Sequence, residues 1–124
     1  MRVFIAEKPT VARAIAAVLP GPQQRHKTYI QSGEANVVVW CAGHILTPYM
    51  PEDYDPRYQR WEVADLPIIP SDWKLKILAR TRDLYQTIAK FARQATLIVH
   101  AGDPDREGQL LVDEVLAQIG VLVP

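Results

Sequence analysis

The sequence has only one cysteine among its 124 residues, Cys41, which excludes an internal disulfide and a cysteine-rich zinc site. We also expect no signal peptide, because the charged pair Glu7 and Lys8 interrupts the apolar start after six residues. No apolar run approaches about 18 residues, the length that a membrane-spanning helix requires. These absences predict a reduced, cytoplasmic protein with no membrane partner.

The formal net charge is zero, since 14 Lys and Arg residues balance 14 Asp and Glu residues. The balance excludes a histone-like basic protein and an acidic tail protein. It leaves nucleic-acid binding open, because local patches of charge matter more than the total. The hydrophobic fraction of 48% is ordinary for a globular protein. A chain of this length predicts a single domain, residues 1–124.

Strand and helix signals alternate along the chain. Arg2–Ala6 is a short apolar run, and Pro9 then opens an alanine-rich segment, which predicts a strand, a turn and a helix. Turn residues at 32–36 between two short apolar runs predict a hairpin. The hydrophobic pattern in the second half of the chain predicts a strand at 73–79, a helix at 81–94, a strand at 96–99 and a helix at 105–119. This alternation predicts an α/β fold.

Residues 47–72 contain five of the ten prolines and predict a long ordered loop without regular structure. The aromatic residues that we expect to hold it in place are Tyr49, Tyr54, Tyr58 and Trp61. Long loops in compact domains are often functional, but simple packing of the loop is the favoured explanation of these aromatic residues.

The densest polar cluster lies between the last predicted strand and the last predicted helix. Asp103, Asp105 and Glu107 place three carboxylates within five residues. Oxygen ligands of this kind suit Mg²⁺, which often uses one or two carboxylates together with water and substrate phosphate. The alternative is structural, with Asp103 as the N-cap and Pro104 as the first helical residue. The spacing alone leaves both interpretations open.

A second polar pair, Glu7 and Lys8, follows the first predicted strand. If this strand is parallel to the one at 96–99, Glu7 and Asp103 lie at the same edge of the sheet, where ligands of α/β proteins bind. A glutamate there can act as a general acid or base, and a lysine can neutralise a phosphate. Both residues are also compatible with a solvated turn.

These residues are parts of a larger resemblance that runs in order along nearly the whole chain. The segments that carry it are Val3–Pro9, Trp40–Leu46, Tyr54–Tyr58, Ala64–Ile68 and Ala101–Gly108. Together they resemble the Toprim domain of type IA DNA topoisomerases, most closely the bacterial topoisomerase III family. The resemblance implies the Toprim fold, with a mostly parallel central sheet flanked by helices, here with a hairpin and the proline-rich loop 47–72.

The resemblance also implies roles for the acidic residues. Glu7 matches the general acid/base at the scissile phosphodiester, and Lys8 matches a lysine that stabilises the phosphate. Asp103, Asp105 and Glu107 match the acids that bind Mg²⁺, with Mn²⁺ as a substitute. These roles belong to transient cleavage and rejoining of a single DNA strand.

Two further residues are candidate contacts with phosphate or DNA. His44 lies in a segment that borders the active site of the family, although a loop histidine with a structural partner is an alternative. Arg106 lies among the three acids, where it can orient the carboxylates, meet DNA phosphate or form a structural ion pair.

The sequence departs from the family in one respect, since none of its five tyrosines matches the motif of the nucleophilic tyrosine. We therefore expect an N-terminal portion or a truncated relative of such an enzyme, inactive alone and possessing a sheet that lacks its last strand. The expected partners are single-stranded DNA and the missing C-terminal domains, in the bacterial nucleoid or on a plasmid. A stand-alone Toprim nuclease or phosphotransfer protein, or a non-enzymatic module binding metal or DNA, are the alternatives.

Overall fold

The computed structural model describes all 124 residues and contains seven strands and four α-helices. The strands are β1 (Arg2–Ala6), β2 (Gln23–Arg25), β3 (Tyr29–Ser32), β4 (Asn36–Trp40), β5 (Leu46–Pro48), β6 (Leu75–Ile77) and β7 (Leu97–Ala101). The helices are α1 (Pro9–Val18), α2 (Pro51–Tyr54), α3 (Arg82–Gln94) and α4 (Arg106–Ile119). None of the helices combines the length and the apolar character needed to cross a membrane.

Five strands form the central sheet in the order β2-β3-β4-β1-β7. The strand β1 lies in the middle and pairs in parallel with both β4 and β7. The predicted hairpin is confirmed, because β3 and β4 pair antiparallel. The α/β class with a parallel centre is therefore confirmed, and β1 and β7 end at the same edge.

Alternate residues of the central strands pack into two separate hydrophobic clusters, one on each face of the sheet. Val3 and Ile5 of β1 pack in a large cluster with residues of α3 and α4, including Ile88 and Leu111. Ala6 of β1 packs on the other face with small residues of α1. Strands buried on both faces are apolar along most of their length, which explains why β1 and β4 contain only apolar residues after their first residue.

The edge strand β2 was not predicted. Its residues, Gln23, Gln24 and Arg25, are all polar and exposed. They adopt a strand because they pair antiparallel with β3, a tertiary contact that leaves no hydrophobic pattern in the sequence.

The prediction of a loop without regular structure at 47–72 was partly wrong. The strand β5 overlaps its start and pairs with β6 in a separate two-stranded ribbon, so the strand predicted at 73–79 is shorter and lies outside the central sheet. The short helix α2 is fixed to this ribbon by Tyr54, whose hydroxyl accepts a 2.9 Å hydrogen bond from the Lys74 amide. Trp61 does not hold the loop in place, since 68% of its surface is exposed.

Candidate active site at the carboxyl ends of the central strands

Glu7 and Asp103 meet where β1 and β7 end. The Asp103 amide donates a 3.2 Å hydrogen bond to Glu7 Oε2. Lys8 Nζ lies 3.9 Å from Asp103 Oδ2, so a cation accompanies the two carboxylates. The predicted convergence of Glu7 with residues 102–108, called the acidic turn below, is confirmed, because parallel pairing brings both strand ends to one edge.

The start of α4 differs from the structural alternative that the sequence left open. The N-cap is Asp105, whose Oδ1 accepts a 2.7 Å hydrogen bond from the Gly108 amide, and the helix starts at Arg106. The interpretation of Asp103 as the N-cap is therefore wrong, and Pro104 precedes the helix. Since Asp105 performs the capping, the Asp103 carboxylate is not required for it.

Two glycines allow the acidic turn to fold closely onto the start of α4. A Cβ atom at Gly108 would lie 2.6 Å from the Asp103 nitrogen, well inside contact distance. A Cβ atom at Gly102 would lie 2.8 Å from the His100 ring. The ring of His100 supports the turn by accepting a hydrogen bond from the Gly102 amide at Nδ1. The position of Asp103 therefore depends on backbone packing that only glycine permits.

The donor atoms at this edge are carboxylate oxygens, which fit a hard divalent cation. Asp103 is partly exposed and the Glu107 side chain is largely exposed. No group of three His, Cys, Asp or Glu side chains is gathered in a ready metal site. Mg²⁺ commonly retains water and uses few protein ligands together with phosphate, so the donor chemistry still suits this ion. The assignment of Asp103, Asp105 and Glu107 as metal ligands stays a prediction.

His44 reaches the same edge from the turn after β4. Its Nδ1 lies 2.8 Å from Glu114 Oε1, and its Nε2 lies 3.7 Å from Glu107 Oε1. The Glu114 side chain is only 13% exposed, so His44 holds a nearly covered carboxylate. Sequence analysis missed Glu114, although its position seven residues after Glu107 places both on one side of α4.

Arg106 is exposed and forms none of the ion pairs of the structure, so the alternative of a structural ion pair is not observed. The cation beside Asp103 is Lys8 instead. The guanidinium of Arg106 is consequently free for a ligand.

Cys41 lies behind this edge and is fully buried. Burial, followed by the negative charges of the nearby Glu114 and Glu7 carboxylates, raises the pKa of its thiol to about 12. A thiol in this state is a poor nucleophile and a poor metal ligand, because both roles need the thiolate. Cys41 therefore belongs to the core.

Comparison with known proteins matches residues 2–123 to the family model of the Toprim domain. The chain is 53% identical over 116 residues to DNA topoisomerase 3 of Salmonella typhimurium and 50% identical over 115 residues to that of Vibrio cholerae. It is 35% identical over 120 residues to that of Staphylococcus epidermidis. These matches cover 93–95% of this chain but only 17–18% of each relative.

Proposed function

Because this chain belongs to the Toprim family, we propose that it is the catalytic metal-binding module of a type IA DNA topoisomerase of the topoisomerase 3 type. It contributes the general acid/base and the acids that bind the metal for transient cleavage and rejoining of one DNA strand. The observation that carries the proposal is the contact between Glu7 and the amide of Asp103, which unites both acidic strand ends. The nucleophilic tyrosine belongs to another part of the longer protein.

The acidic turn holds the cation in this proposal, through Asp103, Asp105 and Glu107. A bound Mg²⁺ or Mn²⁺ supplies positive charge that offsets the negative charge of the phosphodiester. Lys8 adds a fixed positive charge beside Asp103 and contacts the scissile phosphate.

Glu7 performs the proton transfer. Its Oε2 accepts the hydrogen bond from Asp103, which fixes the orientation of the carboxylate and leaves Oε1 available. Oε1 gives a proton to the sugar oxygen that leaves on cleavage and removes it again on rejoining. A positioned group of this kind typically contributes about 10²–10⁴-fold to a rate.

His44 and Arg106 contact the DNA backbone in the same proposal. The free guanidinium of Arg106 suits a phosphate oxygen, and the His44 ring faces the acidic turn with its Nε2. The partners are single-stranded DNA and the remaining domains of the enzyme. The location that follows is the cytoplasm of a bacterium, on nucleoid or plasmid DNA.

A chimera tests this function. Residues 1–124 replace the corresponding segment of the Salmonella typhimurium relative, which supplies the other domains. We expect the chimera to relax negatively supercoiled plasmid in Mg²⁺, and its Glu7→Gln variant to lose roughly 100-fold or more of that activity. Glu34→Gln, in the exposed hairpin turn, is the matched control and should keep full activity.

Two results would contradict the proposal. Nicked circles without topoisomers would favour the nuclease alternative. A chimera that folds, as judged by cooperative thermal unfolding, yet neither cleaves nor relaxes DNA would favour a non-enzymatic module.

A further inference from the structure

We propose that a cleft beside His44 binds one nucleotide of the single DNA strand next to the acidic edge, formed by Glu7 and the acidic turn, an inference that rests on the proposed function. The cleft has a volume of about 610 Å³ and lies between the turn after β4, the β5–β6 ribbon and one side of α4. The residues that carry the argument are Gly43, His44, Leu78, Arg80, Leu110 and Glu114.

The cleft adjoins the acidic edge through shared residues. His44 and Glu114 line the cleft, while the Nε2 of the same His44 lies 3.7 Å from Glu107. Leu110 and Glu114 follow Glu107 by three and seven residues, so α4 presents all three on one side. The cleft is therefore within reach of a strand whose phosphate lies at the acidic turn.

The walls of the cleft suit the apolar faces of a base and its sugar. Leu110 is 56% exposed although it is a large apolar residue, and Leu78 lines the cleft with it. At Gly43 the backbone has φ of 63°, and a Cβ there would meet no atom within 4 Å, so this wall is open. The volume is within the usual range of small-ligand pockets, about 300–1,000 Å³.

The available charge in the cleft is positive. Arg80 is exposed and takes part in none of the ion pairs of the structure. The one carboxylate of the cleft, on Glu114, is largely covered and holds His44 at 2.8 Å. A guanidinium beside an apolar wall matches the phosphate and the base of one nucleotide, whereas a purely apolar peptide would leave Arg80 unpaired.

Titration of the ¹⁵N-labelled chain with an eight-residue oligothymidylate tests the inference by amide chemical shifts. We expect saturable shifts at Gly43, Leu78, Arg80 and Leu110. Arg80→Gln and Leu110→Gln should each weaken binding by roughly fivefold, which is the size of one surface contact. Arg82→Gln is the matched control, since Arg82 is exposed, close in sequence and outside the cleft lining, and its affinity should change less than twofold.

Titration with an abasic oligonucleotide of the same length distinguishes a site for a whole nucleotide from a site for phosphate alone. Equal affinity for the two oligomers, or shifts at Arg80 with inorganic phosphate alone at the same affinity, would overturn the inference. Shifts confined to residues 102–108 would also overturn it while leaving the proposed function intact, because the strand would then reach the acids without the cleft. Absence of shifts in both regions would overturn it as well, and the chimera tests the proposed function independently.

Discussion

The Asp103 amide donates a hydrogen bond to Glu7 Oε2 across a separation of 96 residues in sequence. The donor is a backbone group, so the orientation of Glu7 depends on the path of the acidic turn and not on the Asp103 side chain. The two functions that the proposal assigns to this edge, proton transfer and cation binding, can therefore be separated by mutation.

Asp103→Asn should leave the fold and the orientation of Glu7 unchanged. The substitution removes only a partly exposed ion pair with Lys8 at 3.9 Å, and such pairs contribute roughly 0–1 kcal/mol. We expect urea denaturation to show a free energy of unfolding within about 1 kcal/mol of the wild-type value. A loss above about 2 kcal/mol would mean that the carboxylate has a structural role that this account does not include.

Gly108→Ala should destabilise the chain even though alanine favours helices by about 1 kcal/mol over glycine. The added Cβ would lie 2.6 Å from the Asp103 nitrogen, so the acidic turn must move away from α4. Overpacking of this kind costs about 1–3 kcal/mol. Urea denaturation should show this loss, whereas Gln109→Ala at the exposed neighbour should stay within about 0.5 kcal/mol. A stabilised Gly108→Ala protein would contradict the packing of the turn described above.

Much of this fold follows from local sequence patterns. The unbroken apolar run of β1 and the proline at the start of α1 predict those elements closely, because burial on both faces and the fixed φ of proline act locally. The strands β2 and β5 escape prediction because pairing with a neighbour, and not their own composition, makes them strands. The strand β6 lies within the strand predicted at 73–79, but its pairing with β5 outside the central sheet is not visible in the sequence.

The candidate site also combines features that the sequence predicts with features that it does not. The convergence of Glu7 with Asp103 is predictable, since it requires only two parallel strands that end in acids. The choice of Asp105 over Asp103 as N-cap depends on the close packing of Gly108, which spacing does not reveal. Glu114 escapes notice because its partner, His44, is 70 residues away in sequence.

The buried thiol should make stability fall at high pH. Cys41 has a pKa of about 12 in the folded chain, above its ordinary value of 9.0, so between these values the unfolded chain loses a proton that the folded chain retains. Ionisation then favours the unfolded state, and stability is lost as pH rises above about 9. Lysines and tyrosines also titrate in this range, so the measurement is the difference between wild type and Cys41→Ala in urea denaturation from pH 8 to 11. The wild type should lose more stability than the variant, and parallel curves would contradict the raised pKa.

Residues 1–124 alone should not relax or nick supercoiled plasmid in Mg²⁺. Strand passage of this kind needs a covalent nucleophile to conserve the energy of the broken backbone, and Glu7 with a cation supplies none. Agarose gels should show unchanged supercoils. A ladder of topoisomers that disappears in Glu7→Gln would show that the nucleophile lies within this chain, and nicked circles would favour the nuclease alternative.

The central claim is that the acidic turn binds a divalent cation beside Glu7 and Lys8, at the ends of β1 and β7. Paramagnetic broadening of amide resonances by Mn²⁺ tests it most directly, because the effect reports distance from the ion. We expect selective broadening of Glu7, Lys8 and residues 102–108 at low Mn²⁺ concentration, reversed by excess Mg²⁺ and lost in the double variant Asp103→Asn/Asp105→Asn. Broadening centred elsewhere, such as at Glu62 and Asp65, or broadening that persists in the double variant, would contradict the claim.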